Sequence, residues 1–219
     1  MPLAVGFDLD YTLAVPARDR AAILSDATAA AGAPDISRQA YLRAHRRSHA
    51  HETREPIFAD LLAVRGDVDP GAVATAYREA IADALAPVPG VEALVGRLRE
   101  DYRVGLLTNG PVVAQRDKLE TLGWTDLFDA VVVTGELAAG KPDEAAFRAL
   151  CDALGSPPAE TVYVGDEIEA DVHGASAAGL RVVQVVYPDG PAPDPQAHAH
   201  VDRARLAETL PDVLASLDA

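Results

Sequence analysis

The sequence predicts an α/β protein in which a doubly wound, Rossmann-like parallel sheet carries a small all-helical cap domain. Short runs of β-branched and other apolar residues alternate with helical stretches over most of the 219 residues. Each run is almost continuously apolar, which is typical of parallel strands that helices cover on both faces. The alternation stops once, between residues 16 and about 86, where helical patterns follow one another without a convincing strand.

The alternating part of the chain is predicted to contain five strands, four helices and a C-terminal tail. The strands are Leu3–Phe7, Arg103–Leu107, Ala130–Thr134, Thr161–Val164 and Arg181–Val186. The helices are Val91–Asp101, Val112–Leu122, Glu144–Leu154 and Ala170–Ala178. The tail is predicted to be a loop over Pro188–Pro195 and a short helix near Arg203–Leu217, which Pro211 should interrupt. This βαβα order is the pattern of a doubly wound parallel sheet.

The helical stretch between the first two strands is expected to form a domain of its own. It contains three or four helices, with breaks near Gly32 and between Gly66 and Pro70. We therefore predict a cap domain of residues 16–86 over the carboxyl-terminal edge of the sheet. Residues 1–15 and 87–219 would together form the α/β core domain.

The charge balance excludes some partners. The chain has 19 basic and 34 acidic residues, a formal net charge of −15, which argues against a nucleic-acid partner. Only Lys118 and Lys141 are lysines, and the other basic residues are arginines. An acidic surface suits a host with a salty cytoplasm, while a GC-rich genome that favours Ala and Arg explains the same composition. Both explanations stay open.

The sequence also indicates where the protein works. Its single cysteine, Cys151, excludes an internal disulfide and fits a reducing compartment. The chain runs from its first residues directly into a strand, and it has no apolar run of membrane-spanning length. We therefore expect a soluble, cytoplasmic protein that acts on small molecules rather than on a membrane. The sequence does not predict an oligomeric state.

Two aspartates, Asp8 and Asp10, follow the first apolar run in the pattern Asp-Leu-Asp-Tyr-Thr. Carboxylates on alternate residues at the exit of a buried strand repel each other, and each needs a partner. A divalent cation such as Mg²⁺ removes the conflict. Beside it, one carboxylate can attack an electrophile while the other handles the proton of the leaving group. The pattern arises often enough by chance that it needs support from the rest of the chain.

Three further strand ends supply that support. The second strand ends in Thr108–Gly110, where a hydroxyl and turn amides can hold an anion. Lys141 follows the third strand and offers an ammonium, and the fourth strand ends at Asp166, with Asp171 close behind. Ligands of open parallel sheets bind beyond the carboxyl ends of the strands, where all of these residues fall. Together these groups indicate a phosphoryl-transfer site.

The segment from Gly135 to Lys141 also fits GxxxxGK, the start of a P-loop. The next residue should be Ser or Thr, but it is Pro142, which has neither a hydroxyl nor an N–H. A P-loop would also leave Asp8 and Asp10 unexplained. A nucleotide-binding loop is therefore disfavoured.

With these four motifs in order, the chain resembles the haloacid dehalogenase superfamily, specifically its phosphatase-like members with a helical cap inserted after the first motif. The segment 165–179 is close to the pattern of the family's fourth motif. The resemblance covers nearly the whole chain and is least specific in the cap. It implies an enzyme that hydrolyses a small-molecule phosphate monoester with Mg²⁺ as cofactor. Tyr11 stands where glycine is commonest in the family, a departure at the mouth of the site.

The resemblance implies roles for the three aspartates nearest the metal. Asp8 would attack phosphorus, form an aspartyl-phosphate and ligate Mg²⁺. Asp10 would protonate the leaving group and then deprotonate the hydrolytic water, while its backbone carbonyl ligates the metal. Asp166 would ligate the metal directly.

The resemblance also implies roles for the residues around the phosphoryl group. Thr108 would hydrogen-bond the phosphoryl oxygens, helped by the backbone amides of Asn109 and Gly110. Lys141 would neutralise charge on the nucleophile and on the phosphoryl group. Asp171 would position Lys141 or a metal-bound water.

Other chemistries of the same superfamily are weighed against this expectation. Dehalogenases lack the second aspartate, because a halide leaving group needs no proton, so Asp10 favours phosphate. Phosphonatases need a lysine in the cap, and residues 16–86 contain none. Phosphomutase-type transfer and a non-catalytic binding or regulatory role remain open.

The cap carries one hint about substrate. Arg43, Arg47, His51 and Arg54 recur at spacings of four, four and three, which places them on one face of a helix. Such a face could select substrates with a second anionic group if it looks into the cleft. It could equally be a solvated face that pairs with neighbouring acidic residues.

Overall fold

Six parallel strands form the central sheet of the computed structural model, which describes residues 4–47, 52–64 and 67–217. The strands in chain order are β1 (Ala4–Phe7), β2 (Ala14–Pro16), β3 (Leu85–Pro87), β4 (Arg103–Thr108), β5 (Ala130–Val133), β6 (Thr161–Gly165), β7 (Arg181–Val186) and β8 (Ala199–Asp202). The helices are α1 (Arg20–Ala30), α2 (Arg38–Arg47), α3 (Glu55–Leu62), α4 (Pro70–Ala84), α5 (Val91–Leu98), α6 (Val112–Thr121), α7 (Glu144–Leu154), α8 (Gly174–Ala177) and α9 (Leu206–Leu217).

The order of the large sheet is β5-β4-β1-β6-β7-β8, with β1 at its centre. Ala4 of β1 is in register with Arg103 of β4 on one side and with Thr161 of β6 on the other. All four residues of β1 are buried, as the continuous apolar run predicts. The strand order reverses at β1, which places a crevice at the carboxyl ends of β1, β4 and β6. The predicted doubly wound parallel sheet is confirmed.

Helices cover both faces of this sheet. The side chains of α5 and α9 pack with one face, in a core that includes Phe7, Leu106 and Val164. The other face packs against α7 and α8 through residues such as Leu150 and Tyr163. Cys151 lies in this second core as a buried free thiol.

The four helices α1–α4 lie between β2 and β3 and bury a hydrophobic core of their own. Its aromatic centre is Tyr41, Phe58 and Tyr77, whose ring centroids lie 5.1 to 5.9 Å apart. Three or four helices are predicted here, and the described residues contain four. The expectation of no strand between residues 16 and about 86 is wrong at both ends, because β3 begins at Leu85 and pairs antiparallel with β2, which ends at Pro16. Two three-residue strands with a proline each are too short to give a periodic pattern.

The C-terminal part departs from the sequence prediction in two ways. The short edge strand β8 was not predicted, and α9 continues through Pro211 instead of being interrupted. Pro211 has no N–H to donate to the Ala207 carbonyl one turn earlier. The side chain of Arg97 donates to that carbonyl instead, with Nη2 2.9 Å from the oxygen. This contact from α5 replaces the missing helical hydrogen bond.

Across the described ranges, no helix is long and apolar enough to span a bilayer.

The close packing of α7 on β1 depends on a glycine. A Cβ atom added to Gly6 would overlap Leu150 Cδ2. We expect Gly6→Ala to lower the free energy of unfolding by about 1–3 kcal/mol, because overpacking displaces the helix. Gly96 is the matched control, since it is exposed within α5 and an added Cβ meets nothing within 4 Å. Gly96→Ala should raise stability by about 0.5–1 kcal/mol through helix propensity.

Urea unfolding of the two variants measures this difference. Equal stabilities of Gly6→Ala and the unmodified protein would contradict the packing argument.

Candidate active site

The carboxyl ends of β1, β4 and β6 bring the predicted motif residues to one edge of the sheet. Asp8 and Asp10 follow β1, Thr108 ends β4, and Asp166 follows β6. Lys141 reaches the same edge from the loop between β5 and α7. The backbone of Asp8 is fixed to the neighbouring strand by its N–H, which donates to the Val164 carbonyl at 2.9 Å.

The Lys141 ammonium is the centre of this site. Its Nζ donates to Asp8 Oδ1 at 2.6 Å, to Asp171 Oδ1 at 2.7 Å and to Tyr163 Oη at 2.9 Å. These three contacts use all the donors of an ammonium whose side chain is 2% exposed. Burial alone would lower the pKa of Lys141, but Asp171 and Asp8 outweigh it and hold the pKa well above its usual range. Lys141 is therefore a permanent positive charge.

Asp171 holds Lys141 in place. While its Oδ1 accepts from Lys141, its Oδ2 accepts from the backbone N–H groups of Asp166 and Glu167, both at 3.0 Å. The helix predicted from Ala170 instead begins as a π-helical turn, Ile168–His173, which continues into α8. The bond from Lys141, which is 30 residues away in sequence, is tertiary, so local propensity does not encode it.

A carboxylate-rich pocket lies beside Lys141. Ligand atoms of Asp8, Asp166 and Asp171 all lie within 4.8 Å of one another. Asp166 accepts from two hydroxyls, Thr12 Oγ1 at 3.2 Å and Tyr187 Oη at 2.9 Å. Burial, followed by the charge of Asp171, raises the pKa of Asp166 to about 7. Burial also raises the pKa of Asp8 well above its ordinary value, with Lys141 opposing the shift.

These carboxylates fit a hard divalent cation such as Mg²⁺, which takes oxygen ligands and is held by one or two carboxylates. The raised pKa of Asp166 indicates a carboxylate whose negative charge is poorly compensated by the side chains around it. Asp171 already accepts from the Lys141 ammonium and from two backbone N–H groups, whereas Asp166 accepts only from two neutral hydroxyls. This leaves Asp8 and Asp166 as the side chains best placed to bind an ion.

The Asp10 carboxylate contacts two cations that the sequence analysis missed. Arg20 Nη2 donates to Oδ1 at 2.7 Å, and Lys118 Nζ donates to Oδ2 at 2.5 Å. Burial would raise the pKa of Asp10, but Lys118 and Arg20 outweigh it and hold the pKa well below its usual range. Gln115 Nε2 lies 3.3 Å from Asp10 Oδ2 and also donates to Thr108 Oγ1. Asp10 is therefore ionised in this arrangement.

The segment that follows β4 both borders and supports the site. Thr108 is buried, and its hydroxyl faces Gln115. The side chain of Asn109 makes two hydrogen bonds with the backbone of Lys141, each 2.9 Å long, and so fixes the lysine's loop to β4. The Gly110 N–H donates to Thr134 Oγ1 at 3.2 Å. To contact a phosphoryl oxygen, the Gly110 amide would have to give up its hydrogen bond to Thr134 Oγ1.

Tyr11 adopts a backbone φ of 63°, the left-handed conformation that glycine adopts most easily. Its carbonyl accepts from Arg203 Nη1 at 3.0 Å, and its ring stacks on Tyr187 with centroids 6.2 Å apart. Bulky residues rarely adopt this left-handed conformation. The contacts with Arg203 and Tyr187 hold Tyr11 in it at the mouth of the site.

The four positions of residues 16–86 that are predicted to share a helix face have different surroundings. Arg43 and Arg47 are exposed, and Arg47 forms an ion pair with Asp60 at 2.5 Å. His51 lies outside the described residues. Arg54 alone is buried, and its Nε donates to Tyr41 Oη at 3.1 Å.

Two contacts join the segment that contains α1–α4 to α6. Arg78 Nη1 on α4 lies 2.5 Å from Asp117 Oδ2, and the Val113 N–H donates to the Glu52 carbonyl at 3.0 Å. With the bond between Arg20 and Asp10, they hold the four helices against the edge of the sheet that carries the site.

Besides Arg20, the side chains of this site that were not predicted from the sequence include Tyr163, Gln115, Lys118, Thr12 and Tyr187. In the sequence pattern, Tyr163 is an ordinary residue of a buried strand, and Arg20 and Gln115 are ordinary helix residues. None of the three carries a sign of a role in the site. For Lys118 a signal existed, because the chain has only two lysines. Both contact the predicted catalytic aspartates.

Comparison with known proteins agrees with this geometry. N-acylneuraminate-9-phosphatase of Rattus norvegicus is 37% identical over 131 residues, which are 58% of this chain and 52% of that protein. A phosphoglycolate phosphatase of Cereibacter sphaeroides is 36% identical over 150 residues, which are 68% of this chain and 55% of that protein. The chain thus spans about half the length of the curated relatives it matches.

The same architecture is found among solved structures. A 2-haloacid dehalogenase from Pseudomonas syringae pv. Tomato DC3000 superposes with a TM-score of 0.73, covering 99% of this chain and 100% of that chain at 24% identity. This likeness shows a common fold. The family described as haloacid dehalogenase-like hydrolase matches residues 3–179, a range that contains every motif from Asp8 to Asp171. The chain therefore belongs to the haloacid dehalogenase-like hydrolase family.

Proposed function

We propose that this protein is a Mg²⁺-dependent phosphatase that hydrolyses a small-molecule phosphate monoester through an aspartyl-phosphate. The observation that carries the proposal is the Asp8 carboxylate, which Lys141 holds at 2.6 Å beside Asp166 while Asp10 stands two residues further on. The phosphatases among its relatives support the same activity.

In this mechanism Asp8 attacks the phosphorus atom, and the bond between phosphorus and the leaving oxygen breaks. Lys141 stays charged throughout and offsets the negative charge that Asp8 and the phosphoryl oxygens bring together. Asp8 and Asp166, with the backbone carbonyl of Asp10, would hold Mg²⁺, which supplies further charge neutralisation when bound. Thr108 would donate its hydroxyl to a phosphoryl oxygen.

Asp10 would give a proton to the leaving oxygen and later take one from the water that hydrolyses the aspartyl-phosphate. Arg20 and Lys118 keep the Asp10 carboxylate ionised. At least one of these two cations must move away before Asp10 can carry a proton. Arg20 belongs to α1, so movement of that helix is one way to make the exchange.

We further propose that residues 16–86 act as a cap on a core formed by residues 1–15 and 87–219. The separate hydrophobic core of α1–α4 and their contacts with α6 support this division. A cap over the carboxyl edge of the sheet would exclude water while Asp8 is attacking.

The proposed chemistry is tested with a panel of phosphate monoesters and Mg²⁺. We expect Asp8→Asn to abolish release of inorganic phosphate, because the amide is a poor nucleophile. Asp10→Asn should slow it by about 10²–10⁴-fold, the usual contribution of a general acid and base. Asp152→Asn, an exposed position on α7, is the matched control and should retain full activity.

Unchanged phosphate release from Asp8→Asn would overturn the mechanism. Transfer of phosphate to a second substrate molecule, without release of inorganic phosphate, would indicate a mutase instead.

The pKa of Asp166 gives a second prediction, on metal binding. Since this pKa is about 7 when folded and about 3.9 when unfolded, the native state binds more protons between those values. Metal-free stability should therefore fall as the pH rises from about 4 to 7. Mg²⁺ binds the ionised carboxylate, so at pH 8 an excess of 100 times its Kd should raise the free energy of unfolding by about 2.7 kcal/mol.

Thermal unfolding with and without Mg²⁺ at pH 5 and pH 8 measures this linkage. Asp166→Asn should be more stable than the unmodified protein without metal at pH 8, and should lose the Mg²⁺ response that Asp152→Asn keeps. An equal Mg²⁺ response at both pH values would contradict the assignment of Asp166 as a ligand.

A further inference from the structure

The cleft beside Asp10 contains more positive than negative charge, although the whole chain carries a net charge of −15. Arg20, Arg54 and Lys118 are all buried there, with exposed fractions of 9%, 7% and 2%. Arg20 and Lys118 share the single carboxylate of Asp10. Burial is the main cause that lowers the pKa of Lys118, and the charges of Arg20 and Arg54 lower it further, as expected of neighbouring cations.

Arg54 has no anionic partner among the residues that the structure describes. Its Nε donates to the neutral hydroxyl of Tyr41, and its guanidinium lies 5.7 Å from the ring centroid of Tyr77. No described carboxylate lies within 4.0 Å of it, and its two terminal nitrogens have no described hydrogen-bond partner. Arg54 is only 7% exposed, so solvent compensates little for the missing anion. The two terminal nitrogens are the fork that binds carboxylates and phosphates side by side.

Arg20 gives an independent sign of the same deficit. Its Nη2 binds Asp10, but its Nε is buried and is the one fully buried side-chain nitrogen or oxygen without a hydrogen-bond partner in the described part of the chain. Buried polar atoms are almost always satisfied, so an unsatisfied one calls for a missing partner. Only an acceptor can supply it, because Nε–H is a donor.

Arg54 also lines a cavity of about 320 Å³ between α3, α4 and the start of α6. The size suits a small ligand. Arg78 lines it as well, but that side chain already pairs with Asp117, and the lining carboxylate, Glu55, is on an exposed residue. Arg54 is therefore the cation of this cavity that is left without a counter-ion.

We propose that Arg54, with Arg20 and Lys118, forms a subsite for a second anionic group on the substrate. The proposal rests on the phosphatase function above and narrows its substrate class to phosphate monoesters that also carry a carboxylate or a second phosphate. The reacting phosphate goes to Asp8 and Lys141, and the second anion goes to the cation cluster. Because Arg54 and Arg20 belong to the four-helix insertion, such a substrate binds both sides of the cleft at once.

The test uses esters that differ only at the end of a short carbon chain. Carboxyalkyl phosphates of two to five carbons are compared with alkyl phosphates of the same length, and alkyl bisphosphates form a third set. We expect kcat/KM to be at least about tenfold higher for one charged set than for the plain esters. The set with the larger ratio identifies carboxylate or phosphate as the second anion, and a preference for either supports the subsite.

The variant Arg54→Gln should lower kcat/KM for the charged esters by about 10–100-fold and affect the plain esters much less. Retained hydrolysis of plain esters shows that this variant is folded. Arg54→Lys keeps the positive charge but loses the two-nitrogen fork, so it should recover part of the preference for charged esters. If Arg54→Gln does not fold, the same comparison is made with Arg54→Lys. Arg18→Gln is the control of equal charge, since Arg18 is an exposed arginine of the same insertion that pairs with Asp26.

Equal kcat/KM values for plain and charged esters, or an equal loss on both in Arg54→Gln, would overturn the subsite while the phosphatase function stands. If no ester is hydrolysed at all, the proposed phosphatase function fails. A binding assay then tests separately whether the subsite exists. In that assay the Tm of Asp8→Asn should rise more with a charged ester than with the plain ester, and adding Arg54→Gln should remove the difference. Equal Tm shifts would refute the subsite.

Discussion

The candidate site depends on one buried ammonium. Lys141 Nζ lies between Asp8 after β1, Asp171 in the π-helical turn and Tyr163 on β6, so a single charge joins three segments of the chain. Asn109 fixes the loop of Lys141 to β4, which adds a fourth. Without the ammonium, two carboxylates would be buried with no counter-ion, which costs more than the lost hydrogen bonds. The orientation of Asp8 is therefore a property of the whole sheet edge.

The elements that the sequence predicts are those with a long apolar pattern. The strands β1 and β4 to β7 contain nearly continuous apolar runs, and each lies within about one residue of its predicted bounds. The strands β3 and β8 are three and four residues long and partly exposed, so they leave no periodic signal. The π-helical turn contacts Lys141 through Asp171, and α9 contacts Arg97 where it passes through Pro211. Both partners are distant in sequence from the element they contact.

The same distinction applies to the site. Asp8, Asp10, Lys141 and Asp166 follow strands, and the ends of parallel strands meet by geometry, so their proximity was predictable. Arg20, Gln115 and Lys118 reach Asp10 from helices, where position along the chain says little about which neighbour a side chain meets. The regular spacing of the cap arginines predicts a common face, yet burial separates Arg54 from Arg43 and Arg47.

The rarity of lysine has a chemical consequence. Lys118 and Lys141 are the only side-chain amines of the chain, and both are buried against aspartates of the site. The positive charges on the outer surface come from guanidinium groups, which keep their protons at any biological pH. Acylation, which neutralises lysines on most protein surfaces, thus finds no exposed target side chain here. A lysine side chain that reacts would therefore report an opening of the candidate site that holds Asp8 and Asp10.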